Sequence, residues 1–134
     1  MSALLLDTHA RVRSLSRPSQ ISPVSRSLIQ RARKIHVAPC GLHEIAWKHH
    51  IGKWPEVGAL LAQFPDFLRA QNGRFAPYTA KMALLAGTMD WRQRDPFDRM
   101  IAATAIELCC PPVSKDRSFD GPESQHGWCG RIWN

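Results

Sequence analysis

The sequence has no apolar run long enough to span a membrane and no compositionally biased tract. A membrane-spanning helix needs roughly 18 consecutive apolar residues, and no run comes near that length. We find no internal repeat or linker that would divide the 134 residues. Residues 1–6 have neither the basic start nor the long apolar core of a secretory signal. We therefore expect one cytoplasmic domain over residues 1–134, with no membrane partner.

The chain also lacks the cysteine spacing of a disulfide scaffold. It has only four cysteines, two of them adjacent, and neighbouring cysteines rarely bridge each other. Free thiols in a reducing compartment are the simplest interpretation. One alternative stays open, because Cys40-x-x-His43 and His126-x-x-Cys129 together supply the ligand types of a zinc site.

Acidic residues are nearly absent from the first quarter of the chain. Residues 1–34 contain seven Lys or Arg and a single acid, so their net charge is 7 − 1 = +6 of the +7 carried by the whole chain. Such a basic segment attracts polyanions, and phosphate contacts made by it weaken steeply with salt. A solvated helix face is equally consistent, because a helix C-terminus favours cations such as Arg33 and Lys34.

Short apolar runs alternate with helical patterns, which predicts an α/β fold. We predict strands at 3–6, 35–38, 75–78, 112–115 and 131–133, and helices that begin near residues 23, 42, 55, 80 and 96. Strands separated by helices imply crossover connections and a parallel sheet. The expected domain has a central parallel sheet of four to five short strands, flanked by helices on both faces. Ligands of such sheets bind at the carboxyl ends of the strands.

Four acids stand at the ends of predicted elements or among apolar residues. Asp7 ends the first strand, and Asp116 follows the strand near residue 113. Glu44 and Asp98 lie in helices that follow the same edge of the sheet. Converging carboxylates repel one another unless cations enter, and Mg²⁺ or Mn²⁺ suits oxygen ligands of this kind. Such ions activate water and neutralise charge on a scissile phosphodiester, so the chain needs no nucleophile of its own.

Each acid also has a purely structural interpretation. Asp95, just before Pro96, is a typical N-cap, and Glu44 is spaced to pair with Lys48 at i, i+4. We assign Asp120 to local turn structure rather than to metal binding.

The acids occur in motifs whose order resembles the PIN-domain family, and within it the VapC toxins. The motifs are Leu4-Leu-Leu-Asp7-Thr-His, Leu42-His-Glu44-Ile-Ala-Trp-Lys48, Arg94-Asp-Pro-Phe-Asp98-Arg-Met-Ile-Ala-Ala and Ser114-Lys-Asp116-Arg-Ser-Phe-Asp120. Each motif alone is weak, but the ordered set covers nearly the whole chain. The resemblance implies a single PIN domain and a Mg²⁺- or Mn²⁺-dependent endoribonuclease toxin. It also implies a tRNA or rRNA substrate, a neutralising VapB-like antitoxin and a homodimer.

The resemblance assigns roles residue by residue. The metal ligands of the catalytic site would be Asp7, Glu44, Asp98 and Asp116. Thr8 would orient a ligand or a water molecule. Asp95 would not bind the ion itself but would help to position the residues that do. The residues expected to contact RNA are Arg11, Arg13, Lys48 and Arg99.

Four positions depart from the VapC pattern. Arg11 and Arg13 stand where packing residues are usual, His43 stands where Trp is common, and Pro112 is unusual at a strand end. A buried, unpaired arginine would cost several kcal/mol of a total stability of about 5 to 15. Two alternatives therefore stay open. One is a catalytically silent or decaying PIN-fold protein that binds RNA or a protein, and the other is a zinc-stabilised module that binds nucleic acid.

Overall fold

Four short parallel strands form one sheet in the order β3-β2-β1-β4. The structure, a computed structural model, describes residues 3–10, 12, 18–70 and 72–133, without the side chains of residues 18 and 67. The strands are β1 (Ala3–Leu6), β2 (Lys34–Val37), β3 (Gly73–Phe75) and β4 (Pro112–Val113). An isolated parallel bridge joins Val113 to Ile132 beyond β4. The predicted parallel sheet of four to five strands is confirmed.

Helices connect the strands and cover the sheet. The α-helices are α1 (Pro23–Arg31), α2 (Pro39–His50), α3 (Gly58–Leu61), α4 (Phe64–Ala70), α5 (Ala80–Thr88) and α6 (Pro96–Leu108). Residues 8–10 and 12 are also helical, and 3₁₀ helices occupy Pro18–Gln20, Pro55–Val57 and Arg117–Ser124. Within the described ranges, no helix is both long enough and apolar enough to cross a membrane.

Three helices, α1, α5 and α6, begin after residues whose side chains satisfy free backbone N–H groups. The side chains of Ser22, Thr79 and Asp95 each accept a hydrogen bond from the first turn of α1, α5 and α6, respectively. Pro23 and Pro96 occupy the first helical position, where the missing N–H of proline has no consequence. The sequence therefore fixes the start of α6, and with it the place of Asp98 in its first turn.

Side chains of β1 alternate between the two faces of the sheet. Leu5 joins a buried cluster with Ile101 and Ala105 of α6. Leu4 and Leu6 join a second cluster, on the other face, against which α1 packs. All three leucines are buried, and each contributes roughly 1.5 to 3 kcal/mol to folding. The expected placement of helices on both faces is confirmed.

Some element boundaries differ from the sequence prediction. The helix predicted from residue 42 begins at Pro39, because proline is favoured in the first turn. The strand predicted at 75–78 lies at Gly73–Phe75, where its limits follow the parallel register with β2 rather than the apolar pattern. The strand predicted at 131–133 is reduced to the single bridge at Ile132.

The sheet accommodates Pro112 because its missing N–H would face away from β1. The carbonyl of Pro112 accepts a 2.9 Å hydrogen bond from the N–H of Ile132, on the outer side of β4. The carbonyls of Pro111 and Val113 point the other way and accept bonds of 3.1 and 3.2 Å from the side of β1. The proline therefore removes no ladder bond between β1 and β4.

Candidate active site

The four predicted acids come from separate segments and line one cavity at the carboxyl edge of the sheet. Asp7 follows β1 and Asp116 follows β4. The strand order reverses between these two strands, and a reversal of this kind opens a crevice at the carboxyl edge. Glu44 lies on α2, and Asp98 lies in the first turn of α6. The cavity is also lined by Thr8, His9, Lys48, Asp95, Ile101 and Phe119.

Backbone N–H groups hold the two acids that follow strands. The Oδ1 atom of Asp7, a residue only 7% exposed, accepts a 2.6 Å hydrogen bond from the N–H of Ala10. The Oδ1 atom of Asp116 accepts a 2.9 Å bond from the N–H of Ser118 and caps the 3₁₀ helix Arg117–Ser124. Asp7 is buried while Asp116 is exposed, so the cavity opens to solvent on the side of Asp116.

Glu44 is paired with a cation from its own helix. The residue is 6% exposed, and its Oε2 atom lies 3.0 Å from the Nζ atom of Lys48. The i, i+4 pair that the sequence left open is therefore present. The Lys48 side chain is partly exposed and lines the same cavity, where its ammonium balances the charge of Glu44. RNA contact by Lys48 stays a prediction.

The pKa of Asp98 shows that the carboxylates act on one another. Burial, and after it the charges of Asp95, Asp116, Glu44 and Asp7, together raise the pKa of its carboxyl from 3.8 to about 7. Both desolvation and like charge disfavour the ionised form. The carboxyl of Asp98 is therefore about half protonated at neutral pH when no cation is bound.

We expect the free energy of unfolding of the metal-free protein to fall as the pH rises from about 4 to about 7. In the Asp98→Asn variant this decrease should be smaller. Because the pKa of Asp98 is higher in the folded state, that state binds more protons than the unfolded chain over this range, and the free energy of unfolding falls with pH. Above about 7 this contribution is constant. Thermal unfolding in EDTA across this range measures the effect, with Asp66→Asn, at an exposed position on α4, as control. Identical pH profiles for wild type and Asp98→Asn would contradict the assignment.

Thr8 places an unpaired hydroxyl in the cavity. The residue is 4% exposed, and its Oγ1 atom has no hydrogen-bond partner among the residues that the structure describes. Gly41 of α2 makes room for it, since a Cβ atom there would lie 2.9 Å from that oxygen. Buried polar groups without a protein partner usually bind water or a ligand. The hydroxyl is therefore suited to a water molecule or a hydrated ion.

The donor set fits Mg²⁺, although the ligands are not gathered around one point. In the described part of the chain, no three Asp, Glu, His or Cys side chains are grouped so as to hold a metal ion. Mg²⁺ keeps several waters and is usually bound directly by only one or two carboxylates. The cavity supplies five carboxylates, with Asp95 as the fifth, and the hydroxyl of Thr8. This arrangement suits a hydrated ion rather than a closed, fully protein-ligated one.

The structure gives no support to the zinc site that the sequence left open. Cys40, His43, His126 and Cys129 all lie within the described ranges, and no metal-binding group that includes three of them is formed there. Burial, and then the charge of Glu44, raises the pKa of the Cys40 thiol to about 12. A protonated thiol is a poor zinc ligand and a poor nucleophile.

The PIN-domain family model matches residues 4–122, a span that contains all four acids. The chain belongs to the PIN-domain family. The family predicted from the motif order is thus confirmed. No curated protein sequence matches the chain.

The fold of this PIN domain is similar to that of two solved toxin–antitoxin structures. One is the crystal structure of VapBC2 from Rickettsia felis bound to a DNA fragment from the promoter, with 16% identity and a TM-score of 0.63 over 98% of this chain and 99% of that one. The other is VapBC-5 from Mycobacterium tuberculosis, with 15% identity and a TM-score of 0.62 over 98% of this chain and 100% of that one. At such identities the likeness concerns the fold.

Other predicted residues of the PIN domain have mixed outcomes. Asp95 caps α6 through a 2.9 Å bond from the N–H of Phe97 and also lines the cavity, so its structural role is present, and its support of the metal ligands stays a prediction. Asp120 lies in the 3₁₀ helix Arg117–Ser124 and accepts hydrogen bonds of 3.0 and 3.2 Å from Arg131, eleven residues further along, so its contact is structural but reaches beyond the local turn. The predicted RNA contacts at positions 11 and 13 lie outside the described residues and stay predictions.

The structure gives Arg99, predicted to contact RNA, an internal role. Its guanidinium donates to the carbonyls of Ala86, Met89, Trp91 and Gln93 over 2.6 to 2.8 Å. Four of the five N–H groups of an arginine are thereby used. Arg99 ties the segment between α5 and α6 to the helix that carries Asp98, and its contact with RNA stays a prediction.

Sequence reasoning missed Gln93, which joins two acid-bearing segments of the PIN domain. Its Nε2 atom donates to Oδ2 of Asp98 at 3.1 Å and to Oγ of Ser118 at 3.2 Å. Its Oε1 atom accepts bonds from the N–H groups of Arg94 and Asp95. A single glutamine in a polar loop gives no pattern to recognise. Only its place five residues before Asp98 could have suggested it.

Proposed function

We propose that this PIN-domain protein is a metal-dependent endoribonuclease of the VapC toxin class. The observation that carries the proposal is the single cavity lined by Asp7, Glu44, Asp98 and Asp116, in which one carboxyl has its pKa raised to about 7. A divalent cation relieves repulsion of this kind. The likeness in fold to VapBC structures supports the toxin class.

In the proposed reaction the cavity residues have different roles. A bound Mg²⁺ or Mn²⁺ would activate water and neutralise charge on the phosphodiester. Asp7, Asp98 and Asp116 would hold the ion directly or through water, with Glu44 beside them. The hydroxyl of Thr8 orients a water molecule. RNA enters on the side of Asp116, because the carboxylates of Asp7 and Glu44 are closed off from solvent.

One observation favours a second candidate, a catalytically silent PIN-fold protein that binds RNA or a protein. Lys48 already neutralises Glu44, and the described carboxylates are not gathered into a metal-binding group. A cavity whose negative charge is partly neutralised by its own lysine attracts a metal cation less strongly. Metal-dependent cleavage separates the two candidates.

We infer that a VapB-like antitoxin neutralises the protein and that the protein forms homodimers. The similar solved structures, which are VapBC systems, support the antitoxin. Exposed apolar side chains offer surfaces for association: Trp47 on α2 is 51% exposed, and Leu84 on α5 is 70% exposed. A tRNA or rRNA substrate and a cytoplasmic location complete the proposal.

Cleavage of labelled total bacterial RNA by the purified protein tests the proposal. We expect discrete fragments with Mn²⁺ or Mg²⁺ and none with EDTA, because the carboxylates need a cation to act on a phosphodiester. A folded protein that binds Mn²⁺ yet produces no fragments would contradict the nuclease and favour the silent candidate.

A further inference from the structure

A second groove lies beside the acidic cavity, formed by the segment between α5 and α6. Two adjoining cavities share the side chains of Trp91, Arg92 and Gln93. The first is completed by Arg94 and Arg99, and the second by Asp90, Ser118 and Gly121. We call the two together the arginine groove. Three arginines and one carboxylate line this groove, so its net charge is positive, whereas the neighbouring cavity is lined mainly by carboxylates.

Two arginines of the groove have free guanidinium groups. Arg92 and Arg94 are exposed, and neither side chain makes an ion pair or a hydrogen bond with any residue that the structure describes. A guanidinium presents a planar set of donors that matches phosphate oxygens. The exposed arginines are therefore available to an anionic ligand without first breaking an internal contact.

The arginine groove is joined to the acidic cavity by Gln93, and its backbone is held in place. Gln93 lines the groove while its amide donates to the carboxylate of Asp98. Arg99 binds the carbonyls of Trp91 and Gln93 at 2.8 and 2.7 Å, on either side of Arg92. A backbone fixed in this way loses less conformational entropy when a ligand binds.

An aromatic ring accompanies the arginines. Trp91 is partly exposed, and its Nε1–H donates to the carbonyl of Ser118 at 3.2 Å. Gly121 allows the close approach, because a Cβ atom there would lie 2.2 Å from that nitrogen. Basic grooves with aromatic side chains are typical of proteins that bind single-stranded nucleic acid, where the ring stacks on a base. An acidic peptide would use the guanidinium groups but has no such use for the ring.

We propose that the arginine groove binds the sugar-phosphate backbone of single-stranded RNA on one side of the bond to be cleaved, with Arg92 and Arg94 contacting one phosphate each. The proposal rests on the proposed function in taking RNA as the substrate that crosses the acidic cavity. It adds the direction in which the strand leaves that cavity, past Gln93 and towards Trp91.

The salt dependence of RNA binding tests this groove. The protein with Arg92→Gln and Arg94→Gln is compared with a control in which Arg69 and Arg74 are both changed to Gln. Both control arginines are exposed and lie outside the basic segment 1–34, on α4 and on β3 at the edge of the sheet opposite β4, and their substitution removes the same amount of charge. Binding of a short labelled single-stranded RNA is measured in EDTA, by fluorescence anisotropy, over a range of NaCl concentrations.

We expect the slope of log K against log salt to fall in magnitude by about 1.4 in the groove variant, at about 0.7 for each lost phosphate contact. The control variant should keep the wild-type slope. In cleavage, KM should rise in the groove variant while kcat stays constant. Slopes that are equal in both variants would overturn the proposal. So would an unchanged RNA slope combined with lost binding of a polyglutamate peptide, which would assign the groove to a protein partner.

The two proposals fail separately. A wild-type protein that binds RNA through the groove but cuts none would overturn the nuclease and leave the groove in place. A wild-type protein that cuts RNA with the same KM as the groove variant would keep the nuclease and overturn the groove.

Discussion

Asp98→Asn is expected to lower RNA cleavage by at least about a hundredfold. Loss of a residue that merely supports a metal ligand typically costs 10- to 100-fold, and Asp98 is a proposed ligand itself. The substitution keeps the shape of the side chain and its place in the first turn of α6, yet it removes a negative charge on which four other carboxylates act. Initial rates at saturating Mn²⁺, for both proteins, measure the loss.

Asp66→Asn is the matched control for this substitution. Asp66 has the same chemistry but lies exposed on α4, where its only ion pair within the described residues is with Arg69. Its cleavage rate should equal that of the wild type. Induced expression in bacteria gives a second measurement, since wild type and Asp66→Asn should arrest growth while Asp98→Asn should not. Equal arrest by all three proteins would point to toxicity from binding or misfolding rather than from catalysis.

Arg99→Met is expected to lower the free energy of unfolding by at least about 3 kcal/mol, because hydrogen bonds to a charged group are each worth about 1.5 to 3 and four of them are lost. Methionine replaces only the apolar part of the arginine side chain. For a chain of this size the unfolding temperature should fall by at least about 10 °C. Thermal unfolding followed by circular dichroism measures the change.

Arg33→Met provides the comparison for Arg99→Met. Arg33 is exposed ahead of β2, and surface substitutions of this type usually change stability by less than about 0.5 kcal/mol. If both variants unfolded at the wild-type temperature, the carbonyl contacts of Arg99 would not hold the segment between α5 and α6.

Much of the fold follows from local sequence. The apolar run at β1 and the Asp95-Pro96 start of α6 each give an unambiguous pattern, and both elements lie where predicted. The register and the length of the other strands cannot be read from local sequence in this way. β3 and the bridge at Ile132 depend on pairing with strands distant in sequence, which a local pattern does not encode.

The candidate site divides in the same way. The four acids belong to motifs with a recognisable order, and the structure brings all four to one cavity. Gln93 and Arg99 act through hydrogen bonds to a carboxylate and to backbone carbonyls. The identity of those partners depends on how the chain folds back on itself, and no spacing in the sequence reveals it. The prediction that Arg99 contacts RNA rested on its charge alone, because its hydrogen bonds to backbone carbonyls are not visible in the sequence.

Isothermal titration with Mn²⁺ tests most directly whether the four carboxylates form one metal site. We predict saturable binding to the wild type, competed by Mg²⁺, and much weaker binding to Asp98→Asn, with Asp66→Asn binding like the wild type. Equal Mn²⁺ affinity in wild type and Asp98→Asn would contradict the account, since the ion would then bind without the carboxylate at the centre of the cavity.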